Sequence, residues 1–442
     1  MAAAITVDTS TANGLGRSGT MYQGFIDEVA LLNKFDINSD LYQRYNEAAA
    51  GFINTLIATG RESVAVADTY YHYEKDWLTK AQKISAISAV SSGAVTLTID
   101  PSSLDGTNPT IARVNDVILF KNDMKGFITA KPAYNQVRFV SATPNFTIAQ
   151  IQAALAANDT FAIIGNAMEE ASTKREGINV KPLMFSNRTQ ITRDADEFTG
   201  TVMSNKQVIK VEGKEYYYLS QVLDMHARVK IQQALIALTS EGTDVNGIAT
   251  TKGLIPSIKS LGIQYSKSPV WTLQDFQNLN IMFDSELAPK ELMLGYGNRL
   301  GNEIQNALFD VTRNGAVQYG AIGGEQKALA LGFDSVKIGA YTYHLKQEDM
   351  FHHKQTLGIA GSNYVNSAYV VPLSMDKDAK GQNIPSIQLR YKEQGDGVSR
   401  KYRTWYKDIE TNGDQSKDAM QVECISHWGM QFFGLNRFAW IS

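Results

Sequence analysis

The segment from Lys214 to Thr239 constrains the fold more than any other part of the sequence. It contains neither Pro nor Gly, the two residues that interrupt helices, and Gly242 follows it as a stop signal. Its first half carries one stripe at helical spacing, formed by Leu219, Val222, Leu223, His226 and Val229. At 1.5 Å per residue the predicted helix is roughly 40 Å long. We therefore expect a spine that crosses a whole domain, with separate lobes attached to it.

Composition narrows the class of protein. A chain of 442 residues favours two or three lobes, and a formal net charge of −3 argues against a globally basic nucleic-acid-binding protein. No apolar run approaches the roughly 20 residues of a membrane span, and the first residues lack the pattern of a secretory signal. The single cysteine, Cys424, excludes an intrachain disulfide and lies in an apolar strand pattern that predicts a buried side chain. We expect a soluble protein made inside the cell.

Two segments far apart in the chain are predicted to be extended, Arg61–Trp77 and Pro182–Val202. We expect them to pair only with each other, as the two legs of a projecting arm. Such a ribbon is marginal in water and needs an outside surface. Arginines alternate with carboxylates on the second leg, a pattern that suits salt bridges to another chain. The predicted intersubunit contacts are Arg61, Glu62, Lys75, Asp76, Arg188, Arg193, Asp194 and Glu197.

Between the legs the sequence predicts a small barrel or sandwich with its own core. Its strands are predicted at 94–99, 112–120, 126–130, 136–141 and 160–165, with a short helix at 147–156. After the spine, Thr272 and Asp275 resemble a capping box that opens a helix at 273–287, followed by alternating strands and helices. The last 70 residues are predicted to form a β hairpin, with strands at 387–393 and 400–409, and a further strand at 420–430.

Short sequence motifs give little information about the function of the chain. Residues 14–19 match G-x-G-x-x-G, but no buried strand precedes them and no βαβ unit follows. His344, His352 and His353 are explained by a metal site or by a polar surface loop. If the spine helix begins early, lysines 206, 210 and 214 form one basic stripe, which predicts either a solvated face or contact with a polyanion. No catalytic, metal or cofactor residue is predicted.

The order of these elements resembles a known family. The likeness is carried by SNRTQITRDADEFTGTV running into KEYYYLSQVLDMHARV, and by the C-terminal ECISHWGMQFFGLNRFAWI. The sequence resembles the major capsid protein of tailed bacteriophages with the Hong Kong 97-type fold. Its residue patterns are most similar to those of the crAss-like phages. The resemblance implies an α+β fold with a spine helix and β-hairpin P domain, a mixed A domain, and an extended E-loop, here carrying a small all-β insertion.

The resemblance also implies an order of domains. The expected parts are an N-terminal arm (1–38), a short helix at 41–58 with the first leg of the E-loop (39–82), the inserted β domain (83–172), the return leg (173–204), the spine helix with part of the P domain (205–265), the A domain (266–374), and the P-domain hairpin with the C-terminus (375–442).

The implied function is assembly without enzymatic activity or cofactor. Hexamers and pentamers of the chain are expected to form an icosahedral shell that encloses the double-stranded DNA of a tailed phage. The shell is expected in the virion, after assembly in the bacterial cytoplasm. Expected partners are portal, scaffolding and head decoration proteins and, non-specifically, the packaged DNA; no membrane is involved. Charge reversal at Arg188 and Arg193 is expected to impair particle formation. The alternatives are an enzyme or carbohydrate-binding protein with an inserted β module, or another virion component such as a tail tube protein.

Overall fold

The computed structural model describes residues 51–75, 81–104, 110–170, 175, 177, 182–204, 206–211, 214–313, 335–359, 361–377, 381, 383–394, 397–407 and 419–442. The predicted N-terminal arm and the first part of the helix expected at 41–58 lie outside these residues. The fold is α+β, and the chain forms two compact units. We call them the main unit, which holds the described residues up to Tyr70 and Ser186–Ser442, and the insert, Tyr71–Phe185.

The helices are α1 (Gly51–Ala58), α2 (Ile148–Ala154), α3 (Gly200–Ser204), α4 (Tyr217–Thr239), α5 (Leu254–Leu261), α6 (Leu273–Ser285), α7 (Asn298–Arg313) and α8 (Asp349–His352).

The first strands are β1 (Glu62–Ala65), β2 (Thr69–Glu74), β3 (Gln82–Ile87), β4 (Val95–Ile99), β5 (Asp116–Leu119), β6 (Lys125–Ala130), β7 (Gln136–Ser141), β8 (Thr160–Asn166), β9 (Leu183–Arg188), β10 (Gln190–Thr199), β11 (Lys206–Val211) and β12 (Lys214–Tyr216). The remaining strands are β13 (Asp244–Val245), β14 (Ile248–Ala249), β15 (Ile263–Tyr265), β16 (Glu291–Tyr296), β17 (Ser335–Ile338), β18 (Tyr341–Gln347), β19 (Ala368–Pro372), β20 (Met375–Lys377), β21 (Asn383–Pro385), β22 (Ile387–Lys392), β23 (Arg403–Lys407), β24 (Ala419–Phe432) and β25 (Ala439–Ile441).

The insert contains a closed barrel with strand order β3-β4-β7-β6-β5-β8. Every second side chain points inward, so that Ile118, Ile128 and Phe139 are fully buried in its core. A Cβ at Gly126 would lie 2.6 Å from the Phe139 ring, so only glycine fits there. The barrel alternative is confirmed. The prediction missed β3, because its sequence QKISAI carries no clear alternation of apolar and polar residues.

In the main unit one sheet has the order β1-β22-β24-β10, and β23 also pairs with β24. Strand β10 pairs antiparallel with β24 along its whole length, from Gln190 opposite Trp428 to Thr199 opposite Ala419. Strand β1 pairs in parallel with β22. The prediction that the two legs pair only with each other is therefore wrong for β1 and β10. The reason is β24, whose 14 residues offer two long edges for pairing.

The C-terminal hairpin is also rearranged. Strands β22 and β23 both pair with β24, at different levels, and an isolated bridge between Glu393 and Ser399 joins their connection. The expected strand pair around the turn is thus reduced to that bridge. One long strand replaces it as the centre of the sheet.

The spine helix α4 begins at Tyr217, three residues later than predicted, because β11 and β12 form a hairpin immediately before it. The lysines at 206, 210 and 214 therefore lie on strands, and the basic stripe at helical spacing is wrong. The β-branched residues of KQVIKV explain the strand. Val222, Met225 and Val229 of α4 pack against Phe198, Val422 and Cys424 of the sheet.

The remaining lobe is a mixed sheet with the order β15-β25-β19-β16-β18-β17. Alternate residues of β19 enter two different cores: Tyr369 belongs to the core that contains α5 and α8, and Val370 to the core that contains α6 and α7. The capping box of Thr272 and Asp275 is confirmed. The segment SVKIGAYTYHL forms the two strands β17 and β18, because Gly339 turns the chain with a φ of 63°.

Candidate assembly interface

Two of the predicted contact residues on β10 form ion pairs within their own chain. The Arg193 guanidinium lies 3.4 Å from a Glu423 carboxylate oxygen of β24 and 6.0 Å from the centre of the Trp405 ring. Asp194 accepts a hydrogen bond of 3.0 Å from Nε of Arg228 on the spine helix. The same arginine also donates to Asp196 at 3.2 Å. These charges tie β10 to its own sheet and helix.

Three further predicted residues are engaged in the same way. Arg188 forms an ion pair with Asp244. Glu62 accepts a hydrogen bond of 2.5 Å from the Lys401 ammonium. Arg61 donates to the Leu373 carbonyl at 2.8 Å, and partial burial lowers the pKa of its guanidinium.

The last three predicted residues fall into two groups. Lys75 and Glu197 are exposed. Asp76 lies outside the described residues. At least five of the predicted contact residues thus have partners within the chain.

One exposed apolar surface lies on the ribbon formed by β2 and β9, the two strands by which the chain enters and leaves the insert. The exposed fractions are 56% for Tyr71, 67% for Tyr73 and 58% for Met184. On the opposite face His72 stacks on Phe185, with ring centres 5.5 Å apart. Strand alternation therefore places Tyr71, Tyr73 and Met184 together, and we call them the aromatic face of the ribbon.

Sequence reasoning used the aromatic run at 70–73 to predict a strand but missed it as a contact surface. The signal was present, because alternate tyrosines in TYYHYE point to one face of a strand. Tyr70, the first tyrosine of the run, lies on the other face: it is 5% exposed, and its hydroxyl donates a hydrogen bond of 2.5 Å to the Met430 carbonyl. One side of the run is anchored and the other is uncovered.

The perturbed ionisable groups of the mixed lobe act in packing. Burial by itself would raise the pKa of Asp275, but hydrogen bonds from Tyr265, Thr272 and Ser268 outweigh it and lower that pKa to about 2. Burial raises the pKa of Glu348, which accepts a hydrogen bond of 3.0 Å from the buried Tyr369 hydroxyl. Both carboxyl groups are satisfied by neighbours that belong to the fold.

His226 and Cys424 both lie among side chains of the folded main unit. His226 is half-buried and hydrogen-bonded to the Tyr402 hydroxyl, rather than fully within the core. Burial lowers the pKa of His226 and raises the pKa of the buried Cys424 thiol. In the part of the chain that the structure describes, no three His, Cys, Asp or Glu side chains are grouped as metal ligands. Among the described helices, none combines the length and the apolar character that a membrane crossing needs.

No protein-family model matches the chain, and no curated protein matches it. Solved structures do. One from Microbacterium phage Oxtober96 has a TM-score of 0.43 and 9% identity, and the match covers 94% of this chain and 97% of that one. The capsid of Myoviridae phage XM1 has a TM-score of 0.41 and 8% identity, with coverage of 93% and 97%. The SrpI encapsulin complex of Synechococcus elongatus has a TM-score of 0.35 and 10% identity, with coverage of 61% and 77%.

Proposed function

We propose that this chain is a structural subunit that assembles with copies of itself into the icosahedral shell of a tailed bacteriophage. The observation that carries the proposal is the aromatic face of the ribbon. A two-stranded ribbon is at best marginally stable alone, and the three side chains of this face are more than half exposed. Full burial of one large apolar side chain contributes about 1.5–3 kcal/mol. A neighbouring subunit would supply that burial.

The arrangement of the elements supports a Hong Kong 97-type subunit. In this proposal the ribbon and the insert form the E-loop, α4 with the sheet around β24 forms the P domain, and the mixed sheet forms the A domain. The residues predicted at 61–65 and 190–199 then belong to the P-domain sheet rather than to the E-loop. Hexamers and pentamers would form around the A domain. Scaffolding, portal and decoration proteins, and packaged DNA, are the proposed partners.

The test replaces Tyr71 and Tyr73 together by Ser. We expect the double variant to stay folded, since both side chains are exposed, and to give at least ten times fewer closed particles by electron microscopy than the parent chain. The matched control is Tyr134→Ser in the insert, because Tyr134 is 54% exposed and lies outside the ribbon. The control should leave particle yield unchanged.

The parent chain alone also tests the proposal. Closed icosahedral particles support it. Helical tubes would identify a tail component instead, and a stable 48.7 kDa species at high concentration would point to the enzyme or carbohydrate-binding alternative. Normal particle yield from the Tyr71 and Tyr73 double variant would remove the role of the aromatic face.

A further inference from the structure

Two arginines lie close together at the β1–β22 edge of the main-unit sheet. Ser63 of β1 is opposite Arg390 of β22 in a parallel ladder, and the ladder continues to Arg61, whose carbonyl accepts a hydrogen bond of 2.8 Å from the Leu389 amide. Arg390 donates to the Ser63 hydroxyl at 2.7 Å. Because side chains alternate between the two faces of a strand, Arg61 and Arg390 project from the same face on adjacent strands. We call these two residues the arginine pair.

No carboxylate among the described residues neutralises the arginine pair. Arg61 donates to the Leu373 carbonyl at 2.8 Å and Arg390 donates to the Ser63 hydroxyl, but neither arginine forms an ion pair with a described residue. Burial lowers the pKa of both guanidinium groups, and no carboxylate opposes that shift. Two half-buried cations are thus held near each other by neutral partners.

The acidic residues near the two strands are engaged elsewhere or point away. Glu62 accepts a hydrogen bond of 2.5 Å from the Lys401 ammonium, and an Asp68 carboxylate oxygen lies 3.0 Å from the Lys392 ammonium. Alternation along the strands directs Glu62 and Glu393 to the face opposite the arginine pair. A charge taken out of water is costly unless an opposite charge compensates it. The arginine pair therefore favours an anion from outside the chain.

The arginine pair keeps donors that an anion can reach. The Nε atoms of both arginines are buried and have no hydrogen-bond acceptor among the described residues, so an incoming group cannot reach them. Nη1 of Arg61 and Nη2 of Arg390 also lack an acceptor there, but these two atoms are not buried. The Tyr70 ring centre lies 5.5 Å from the Arg390 guanidinium carbon and restricts that group on one side. The accessible donors thus belong to groups that the fold already holds in place.

We propose that the arginine pair binds one phosphate group. A guanidinium presents its N–H donors as a planar fork that matches the oxygens of a phosphate. A tetrahedral anion has enough oxygens to give each guanidinium its own acceptor, and its negative charge balances the excess of the two cations. The phosphate group can be a free anion or part of a nucleic-acid backbone, since both present the same kind of oxygen. The bound group joins β1, the edge strand that leads into the ribbon, to β22.

The test titrates inorganic phosphate into the full-length chain and follows binding by isothermal titration calorimetry, in a phosphate-free buffer with a constant chloride concentration. We expect one phosphate per chain. Arg390→Gln and Arg61→Gln, each made alone, should weaken phosphate binding by about tenfold or more, because each removes hydrogen bonds from a charged donor. The matched control is Arg403→Gln, since Arg403 is exposed on β23 of the same sheet. The control should bind phosphate like the parent chain.

Circular dichroism checks that each variant is folded, and because the two substitutions lie on different strands, either folded variant decides the question. If the parent chain binds no phosphate, or if a folded Arg390→Gln or Arg61→Gln variant binds it like the parent, the phosphate site is wrong. A short DNA duplex added in competition distinguishes the two sources. Displacement of the phosphate identifies a nucleic-acid backbone as the natural ligand, and undisturbed binding identifies the free anion. Particle formation tests the proposed function separately, so that either proposal can fail without the other.

Discussion

Strands β9 and β10 are neighbours in the sequence, separated only by Thr189, yet their surroundings differ completely. Strand β10 pairs with β24 from end to end, and its Asp194 and Asp196 are bound by Arg228 of the spine helix. Strand β9 pairs with β2 alone, in a two-stranded ribbon. The charged strand is part of a five-stranded sheet, whereas β9 exposes the apolar side chains of Leu183 and Met184 to water.

This difference bears on the sequence-based prediction of the intersubunit contacts, which stays a prediction. Alternating charges suggested that the segment around 188–197 binds another chain. In the structure these charges find partners in their own chain, and exposed ion pairs contribute little in any case. Aromatic residues and methionine are enriched at protein interfaces, whereas lysine and the carboxylates are depleted. The aromatic face is therefore the better candidate for contact between copies.

The largest expected effect is on the free energy of unfolding, and it compares one phenylalanine of β10 with one of β9. Phe198 of β10 is 6% exposed and packs against the spine helix, so we expect Phe198→Ala to lower the free energy of unfolding by about 3–5 kcal/mol. Phe185 of β9 is half-buried and stacks on His72, so Phe185→Ala should lower the free energy of unfolding by about 1 kcal/mol. Urea unfolding followed by fluorescence measures both variants. Equal losses would mean that the ribbon is anchored as firmly as the sheet.

The second prediction concerns a satisfied carboxylate in the mixed lobe. The folded-state pKa of Asp275 is about 2, below its ordinary value of 3.8, so the unfolded chain binds its proton first as pH falls. The stabilisation is complete above about pH 3.8 and is lost as pH falls toward 2. Its size is about 2 kcal/mol. Comparison of the parent chain with Asp275→Asn in urea, between pH 5 and pH 2, should yield this difference; parallel curves would contradict it.

The third prediction concerns the clamp between β10 and the spine helix. Removing the Arg228 guanidinium leaves Asp194 and Asp196 close together without their cation. We expect Arg228→Ala to lower the free energy of unfolding by about 1 kcal/mol, since the side chain is 47% exposed and solvent screens the pairs. Asp194→Asn with Asp196→Asn should remove most of that penalty in the Arg228→Ala background. High salt should reduce the effect, and a salt-independent loss would point to packing instead.

The sequence predicts local structure better than pairing. Periodicity and capping residues place α6 within two residues, because a capping box and an apolar stripe are local signals. Strand partners are not local: nothing in the sequences TYYHYE and RDADEF states which edge each strand meets. The β10–β24 ladder joins residues more than 200 positions apart.

The smallest expected effect bears most directly on the comparison. Arg188→Glu with Arg193→Glu reverses two charges that the sequence alone assigns to intersubunit contact. Lys407 still lies 3.0 Å from Glu423 after Arg193 is reversed, and both arginines are at least 42% exposed. We therefore expect a loss of only about 0.5–1 kcal/mol in the free energy of unfolding and an unchanged particle yield.

The matched comparison is the Tyr71→Ser and Tyr73→Ser double variant, which should behave in the opposite way, with unchanged stability and few particles. Urea unfolding and electron microscopy on both double variants separate folding from assembly. If the arginine variant folds normally but forms no particles while the tyrosine variant assembles, the charged strand is the contact and the aromatic face is not. Strands β9 and β10 would then still differ in their pairing within the chain, but β10 rather than the ribbon would form the contact between copies.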